Sequence, residues 1–297
     1  MADAARPRTV ADLRDLLAHR LQGAVPDPLG EARELLASLH DAPRSWSTVH
    51  AGDELIDLLI DAAIDAAERR IAGAPIAYAT GRAAFRHLFL HVDERVLIPR
   101  PETEELVSLA LSHIAPGMTV VDVGTGSGAI ALSIACESGA ARVIGTDLSP
   151  GAIEVAELNA RAVLRQEYAR TEFLQGDLLE PIGDESVDIV VSNPPYIATG
   201  ERESLPAAVR DWEPDTALFG GPDGMDVIRR LVAQAALRLG AGGMLLMEID
   251  ARRAAQAMAC ADTVQWGDRR VVPDAFGRDR FVIARRTAVV ADTGART

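Results

Sequence analysis

Residues 119–132, Thr119-Val-Val-Asp-Val-Gly124-Thr-Gly126-Ser-Gly128-Ala-Ile-Ala-Leu132, constrain the fold more than any other stretch. An apolar strand pattern runs into three glycines at alternate positions and then into an apolar helix pattern. Glycines here allow a tight turn and let backbone approach a ligand, with a helix N-terminus beyond. The spacing is G-x-G-x-G, not the dinucleotide-binding G-x-G-x-x-G. A second strand pattern, Arg142-Val-Ile-Gly-Thr146, ends in Asp147. That acid lies 23 positions after Gly124 (147 minus 124), near the ~20 expected of a carboxylate that takes ribose hydroxyls. A third, Thr171-Glu-Phe-Leu-Gln175, ends in Gly176-Asp177-Leu178, where an acid can accept from an adenine amino group. One glycine loop alone is an ordinary strand-to-helix turn. Three strand ends carrying the loop (Gly124, Thr125, Gly126, Ser127, Gly128), Asp147 and Asp177 point to a nucleoside-containing cofactor.

The surrounding pattern agrees. From about Arg100 strand and helix patterns alternate. The strands at 119–123, 142–146, 187–192 and 243–249 are apolar runs, as expected of a parallel sheet covered on both faces. Residues 280–284 read as a final strand. Residues 8–72 read as all helical. Thr9-Val-Ala-Asp12 has the form of a capping box before Val10, Leu13, Leu17 and Leu21. Asp27-Pro28 opens a second helix with Leu29, Ala32, Leu36 and Leu39 on one face. A third spans about Asp53 to Ile71 with Leu55, Leu58, Leu59, Ala62 and Ala66 inward. At 297 residues the length suits about two domains. The expected division is an N-terminal helical substrate-recognition domain (1–79), a hairpin linker (80–99) with Leu88, Leu90 and Val92 on one side, a catalytic domain (100–286) and a disordered tail (287–297).

A second motif supplies the chemistry. The apolar run Val187-Asp-Ile-Val-Val-Ser192 ends in Asn193-Pro194-Pro195-Tyr196. Neither proline has an amide hydrogen, so the turn offers acceptors rather than donors. That suits gripping an NH2 group. Such a nitrogen is a poor nucleophile, and acceptors that hold its hydrogens orient it and favour the positive charge it gains. The bland reading is a plain Pro-Pro turn closing a strand.

Together, Asp122-Val-Gly-Thr-Gly-Ser-Gly128, Asp147, Gly176-Asp177 and Asn193-Pro-Pro-Tyr196 resemble an S-adenosylmethionine-dependent methyltransferase of the amino-methylating type. More narrowly, the chain resembles the bacterial peptide-chain release factor glutamine methyltransferases, the HemK family. Pro75-Ile-Ala-Tyr78 with Gly81 and Phe85, Leu97-Ile-Pro-Arg-Pro-Glu-Thr-Glu104, Glu213-Pro214, Gly220-Gly-Pro-Asp-Gly224, and Asp274, Gly277 and Asp279-Arg280 carry the narrower likeness, over about residues 8–285. The sequence departs from the family pattern at Glu248-Ile249-Asp250, which lacks a glycine, and at Arg86-His87, where a small residue is usual. The resemblance implies a Rossmann-like α/β class I methyltransferase domain with a seven-stranded, mostly parallel sheet beside a small helical domain. It implies S-adenosyl-L-methionine as cofactor and a glutamine side-chain amide in a release factor (its Gly-Gly-Gln motif) as substrate. On this reading the glycine loop and Asp147 fix the cofactor's amino-acid and ribose parts, and Asp177 and Leu178 frame the adenine. Asn193 Oδ1 and the Pro194 carbonyl hold the substrate NH2, and Tyr196 packs against it. Asp122, Phe85, Pro99, Arg100, Glu102 and Thr103 are further candidates.

Composition decides among rivals. Thirty basic against 44 acidic residues gives −14, a poor start for neutralising phosphates. A DNA or RNA amino-group methyltransferase also needs a basic channel for an extracted base, so the expectation is no direct nucleic-acid binding. A glutamine methyltransferase acting on a ribosomal protein, and a non-catalytic module of the same fold, remain as rival readings. No apolar run reaches the ~20 residues of a membrane span, and residues 1–7 have no signal-peptide character. These imply a cytoplasmic protein without membrane contact, expected to be monomeric. Two cysteines are too few for a disulfide framework or metal cluster, and the six histidines show no ligand spacing. No metal is expected. Cys136 reads as a small core residue.

Overall fold

In the first of two units, the chain closes a helical cluster around leucines spaced by helix period. The computed structural model describes residues 6–262 and 264–287. The sequence expectation for 288–297 lies outside them. The described residues divide into two compact units, 6–94 with 206–213, and 95–205 with 214–287. Residues 206–213, distant in sequence, therefore group with the N-terminal helices.

In the first unit α1 (Val10–Arg20), α2 (Pro28–Leu39), α3 (Trp46–Val49), α4 (Asp57–Ile71) and α5 (Ile76–Thr80) are joined by a hairpin of β1 (Arg82–Phe85) and β2 (Leu88–His91). The capping box is present: the Asp12 N–H donates to Thr9 Oγ1, and the Thr9 N–H to Asp12 Oδ2. Such a cap contributes about 1 kcal/mol. Asp27 caps α2 through the Gly30 N–H, with Pro28 at the first helical position. Leu13, Leu17, Leu21, Leu35, Leu36 and Ile60 form the core, with Trp212 packed against it from the inserted segment.

The predicted α2 face holds at Ala32, Leu36 and Leu39 but not at Leu29, and the predicted α4 face is shifted. Leu29 is exposed, and Leu35 takes a core place beside Leu36. In α4 the inward residues are Ile60, Ala63, Ala66 and Ala67, while Leu58 is 76% exposed. The helix starts at Asp57, not Asp53. Both helices carry apolar residues on more than one side, so neighbouring helices choose the stripe that is buried. Leu90 and Val92 are buried, as the alternation predicts. Arg86 takes a positive φ of 52° in the hairpin turn, a conformation that disfavours side chains bearing a Cβ.

The second unit alternates α6 (Pro101–Leu111), β3 (Thr119–Val123), α7 (Ala129–Glu137), β4 (Arg142–Asp147), α8 (Pro150–Val163), β5 (Thr171–Gln175) and β6 (Val187–Ser192). After α9 (Ala207–Arg210, in the inserted segment) come α10 (Asp215–Leu218), α11 (Asp226–Arg238), β7 (Leu239–Glu248), α12 (Ala254–Cys260), β8 (Trp266–Pro273) and β9 (Asp279–Arg286). The seven strands pair in the order β5-β4-β3-β6-β7-β9-β8. β5 through β7 run parallel; β9 pairs antiparallel with both β7 and β8. Val121, Val123, Val190, Leu245, Met247 and Val282 pack on one face against Ile228, Leu231, Val232 and Ala235 of α11. Val120, Val191, Leu246 and Ile283 are equally buried. Burial on both faces explains the continuous apolar runs. The last strand extends to Arg286, past the predicted Ala284. Cys136, expected in the core, is exposed near the end of α7, where the helix emerges from the interior after the buried run Ala129–Ala135.

Candidate active site

The order of strands reverses between β3 and β6, and their carboxyl ends lie side by side, with Val123 paired to Ser192. Ligands of open α/β sheets bind at such a switch point. The glycine loop leaves β3 here and Asn193 leaves β6. The remaining parallel strands end at the same edge, β4 in Asp147 and β7 in Glu248.

The loop is held from beneath. Gly124, Gly126 and Gly128 have φ of 73°, 55° and 82°, which glycine adopts at no steric cost. A Cβ at Gly124 or Gly126 would meet nothing within 4 Å, whereas one at Gly128 would press on Leu132 at 3.1 Å. The first two glycines thus face open space, and the third lets α7 pack closely. Asp122 is 0% exposed. Its Oδ2 accepts from the Thr125 hydroxyl (2.7 Å) and from the Ala131 N–H (3.1 Å). Burial, opposed by those two hydrogen bonds, pushes its carboxyl up to about 7. A group so enclosed braces the loop and does not reach a ligand. Thr125 and Ser127 are buried too; the Ser127 carbonyl accepts from Asn159 Nδ2 (2.9 Å).

Asp147 stands at the rim. Its Oδ2 accepts from the Gly126 N–H and its Oδ1 from the Ser149 N–H, both at 2.9 Å. Burial raises its pKa, against those hydrogen bonds. Each carboxylate oxygen keeps further acceptor capacity. Asp177 is ion-paired with Arg230, so an adenine amino group would share that carboxylate with a guanidinium. Leu178 beside it has a φ of 52°, a strained value of the kind found at ligand clamps.

The Asn193-Pro-Pro-Tyr196 turn is held by residues far away in sequence. Asn193 Nδ2 donates to Thr103 Oγ1 (3.1 Å), and the Thr103 hydroxyl donates to Glu248 Oε2 (2.7 Å). Thr103 lies in the first turn of α6, whose start is set by Pro101 at the first helical position. Glu248 is 1% exposed. Burial raises its carboxyl to about 7, against the Thr103 hydrogen bond and nearby Arg280 and Arg100. Tyr196 is driven up to about 12, first by burial and then by the Glu248 charge. Beyond the turn, Ile197 bonds to the Leu218 carbonyl and Gly220 to the Ile197 carbonyl. A Cβ at Gly220 would meet the Pro195 carbonyl at 2.4 Å, and one at Gly224 the Tyr196 carbonyl at 2.3 Å. These glycines let a second loop lie directly on the turn's backbone.

The chain is similar to known proteins. A methyltransferase small domain model matches residues 104–209, and a PrmC N-terminal domain model matches residues 12–81. A release factor glutamine methyltransferase of Deinococcus radiodurans is 40% identical over 280 residues, covering 92% of this chain and 98% of that protein. One from Moorella thermoacetica is 41% identical over 267 residues, covering 89% and 93%. The chain belongs to the release factor glutamine methyltransferase family. A methyltransferase from Pyrococcus furiosus, at 14% identity and a TM-score of 0.51 over 67% of this chain and 89% of that one, shares the fold.

As a member of this family, the chain is an S-adenosylmethionine-dependent methyltransferase. The donor set is compatible with that cofactor: two glycines open to space and a rim carboxylate with acceptor capacity to spare. Among the other predicted residues, Pro99 and Arg100 precede α6, Glu102 lies in its first turn, and Phe85 is buried in β1 of the first unit. Sequence reading missed Glu248 as a site residue. Its only signal was an acid closing a long apolar strand at the functional edge of the sheet.

Proposed function

We propose that this family member methylates the side-chain amide nitrogen of a glutamine in a peptide-chain release factor. The observation that carries the reading is the Asn193-Pro-Pro-Tyr196 turn beside the glycine loop, with the Asn193 carboxamide tied at Nδ2 and its oxygen left for a substrate NH2. Gly124, Thr125, Gly126, Ser127 and Gly128 form the cofactor's cradle, Asp147 takes its ribose hydroxyls, and Asp177 with Leu178 flanks its adenine. When bound, S-adenosylmethionine supplies an electrophilic methyl group. Asn193 Oδ1 and the Pro194 carbonyl hold the two amide hydrogens, and Tyr196 packs on the flat amide. Orientation of this kind is worth up to about 7–11 kcal/mol. No residue is assigned as general base; the methylated amide is strongly acidic and loses its proton afterwards.

The helical N-terminal domain serves as the platform for the protein substrate. The net charge of −14 supports a protein partner over nucleic acid. No helix among the described residues is long and apolar enough to cross a membrane; we infer a cytoplasmic monomer. The test is methyl transfer from labelled cofactor to release factors, ribosomal proteins, DNA and RNA, with the modified residue located by mass spectrometry. Label on a release factor glutamine supports the proposal. Label only on a ribosomal protein or a nucleobase overturns it.

A further inference from the structure

The chain Asn193–Thr103–Glu248 has a direction, and that direction bears on catalysis. A carboxamide has one end that accepts and one that donates. Only the accepting end can hold a substrate NH2. The two ends are nearly equal in shape, so packing alone does not choose between them. The choice falls to hydrogen-bond partners.

We propose that Thr103 and Glu248 are positioning residues that set which end of the Asn193 carboxamide faces the substrate. This rests on the reading of Asn193 as the residue that grips the substrate NH2. An ionised Glu248 only accepts. It takes the Thr103 hydroxyl hydrogen at 2.7 Å, so Thr103 Oγ1 is left as an acceptor. That oxygen takes Nδ2–H of Asn193 at 3.1 Å. Oδ1 then points away from the relay, and no described residue donates to it. The three residues come from α6, β7 and the end of β6, separated by 90 and 145 positions. Their meeting is a product of the fold, not of local turn chemistry.

Protonation of Glu248 removes the direction. A neutral carboxyl donates to Thr103 Oγ1, the threonine hydrogen turns toward Asn193, and the amide is free to present its NH2 end to the substrate. The groups that act on Glu248 are Arg280 from β9, Arg100 and Glu102 at the start of α6, and Tyr196 from the turn. Their balance with burial leaves the carboxyl near 7. Turnover at saturating cofactor is therefore expected to fall as pH drops through that region.

The test compares Thr103→Val, Thr103→Ser, Glu248→Gln and Asn193→Ala for kcat, KM, cofactor affinity by calorimetry and the pH profile of kcat. Loss of relay direction should lower kcat of Thr103→Val by roughly 10- to 100-fold, at or below the loss of one preorganised polar partner, without change in cofactor affinity. Thr103→Ser, which keeps the hydroxyl, should restore most of it. Glu248→Gln should lose the acid limb near pH 7. A Thr103→Ser variant as slow as Thr103→Val makes the role one of packing and overturns the proposal. So does an acid limb that persists in Glu248→Gln. Full kcat in Thr103→Val while Asn193→Ala is slow overturns the relay but leaves Asn193 in place. Full kcat in Asn193→Ala removes the reading on which the relay rests. The pH comparison of wild type with Glu248→Gln decides the matter even if Thr103→Val fails to fold.

Discussion

The two halves of the site are built in opposite ways. The glycine loop is held from within one strand-helix-strand-helix stretch: Asp122 reaches Thr125 three residues on and Ala131 nine residues on, Asp147 reaches Gly126 across 21, and Asn159 reaches Ser127 across 32. The Asn193-Pro-Pro-Tyr196 turn is held across 90 residues by Thr103, and by the glycines at 220 and 224 in a later loop. On the proposed reading, the cofactor side is a local motif on a strand-to-helix junction and the substrate side is an assembly of separate elements. A local motif tolerates changes elsewhere in the fold. An assembly is exposed to changes in any of its parts.

The strongest test of that contrast removes the oxygen proposed to grip the substrate NH2. Asn193→Ala should lower single-turnover rate by roughly 10²–10³-fold, as for loss of one oxyanion-hole partner. Cofactor affinity measured by calorimetry should stay within about twofold. Normal turnover would reduce Asn193 to a turn residue.

The same substitution in each half should next separate binding from chemistry. A Cβ at Gly224 would meet the Tyr196 carbonyl at 2.3 Å with φ at 76°, so Gly224→Ala deforms the substrate turn. Turnover should drop at least ~10-fold, with cofactor affinity nearly kept. A Cβ at Gly126 meets nothing, with φ at 55°, so the folded chain takes on only about 1–2 kcal/mol of left-handed strain. Its loss should appear in cofactor affinity, because the methyl enters the space the ligand needs. If Gly126→Ala slows chemistry and Gly224→Ala weakens the cofactor, the division is wrong.

Asp147→Ala should weaken cofactor binding by about 1.5–3 kcal/mol, the value of a hydrogen bond to a charged group. Unchanged affinity by calorimetry would remove the ribose assignment.

Asp122 gives a subtler, pH-dependent effect. Its folded pKa is raised to about 7 by burial, against an ordinary value near 4. Between those values the folded state holds a proton that the unfolded state has released. Stability from this group therefore falls as pH rises through the window, and the full cost stands above pH 7. Asp122→Asn keeps an acceptor for Thr125 and Ala131 but carries no charge. Its melting temperature relative to wild type should rise between pH 4 and pH 8. A constant difference would mean that Asp122 titrates normally.

The smallest effect concerns Tyr196. Its ring is packed against the core cluster under α11, and Tyr196→Phe keeps that packing. Turnover should change by less than about threefold, in line with a role for the ring rather than the hydroxyl. A larger loss would give the hydroxyl a part in the reaction.

Much of the scaffold was legible because its signals are local. Glycines at 124, 126 and 128, an acid at the end of each of the next two strands, and the Thr9–Asp12 cap depend on residues within one or two turns of each other. The parallel strands showed as apolar runs because both their faces are covered. Legibility failed where a helix is apolar on several sides, as at Leu29 and Leu58, and at β8. The strand Trp266-Gly-Asp-Arg-Arg-Val-Val-Pro273 carries a polar, exposed middle (Gly267, Asp268 and Arg270), and takes its place by pairing with β9.

The sequence by itself determined the fold class, a nucleoside-containing cofactor, the edge of the sheet to which its proposed site is assigned, and an acceptor-rich turn suited to an NH2 group. These follow from hydrogen-bonding and steric rules that act over a few residues. Only the tertiary structure decided that Asp122 braces the loop from within, that residues 206–213 group with the N-terminal helices, and that Glu248 stands behind Thr103 and Asn193. Those facts depend on which distant elements meet in a dry interior. There an unpaired charge is costly enough to fix its partners, and no pattern along the chain records which partners those are.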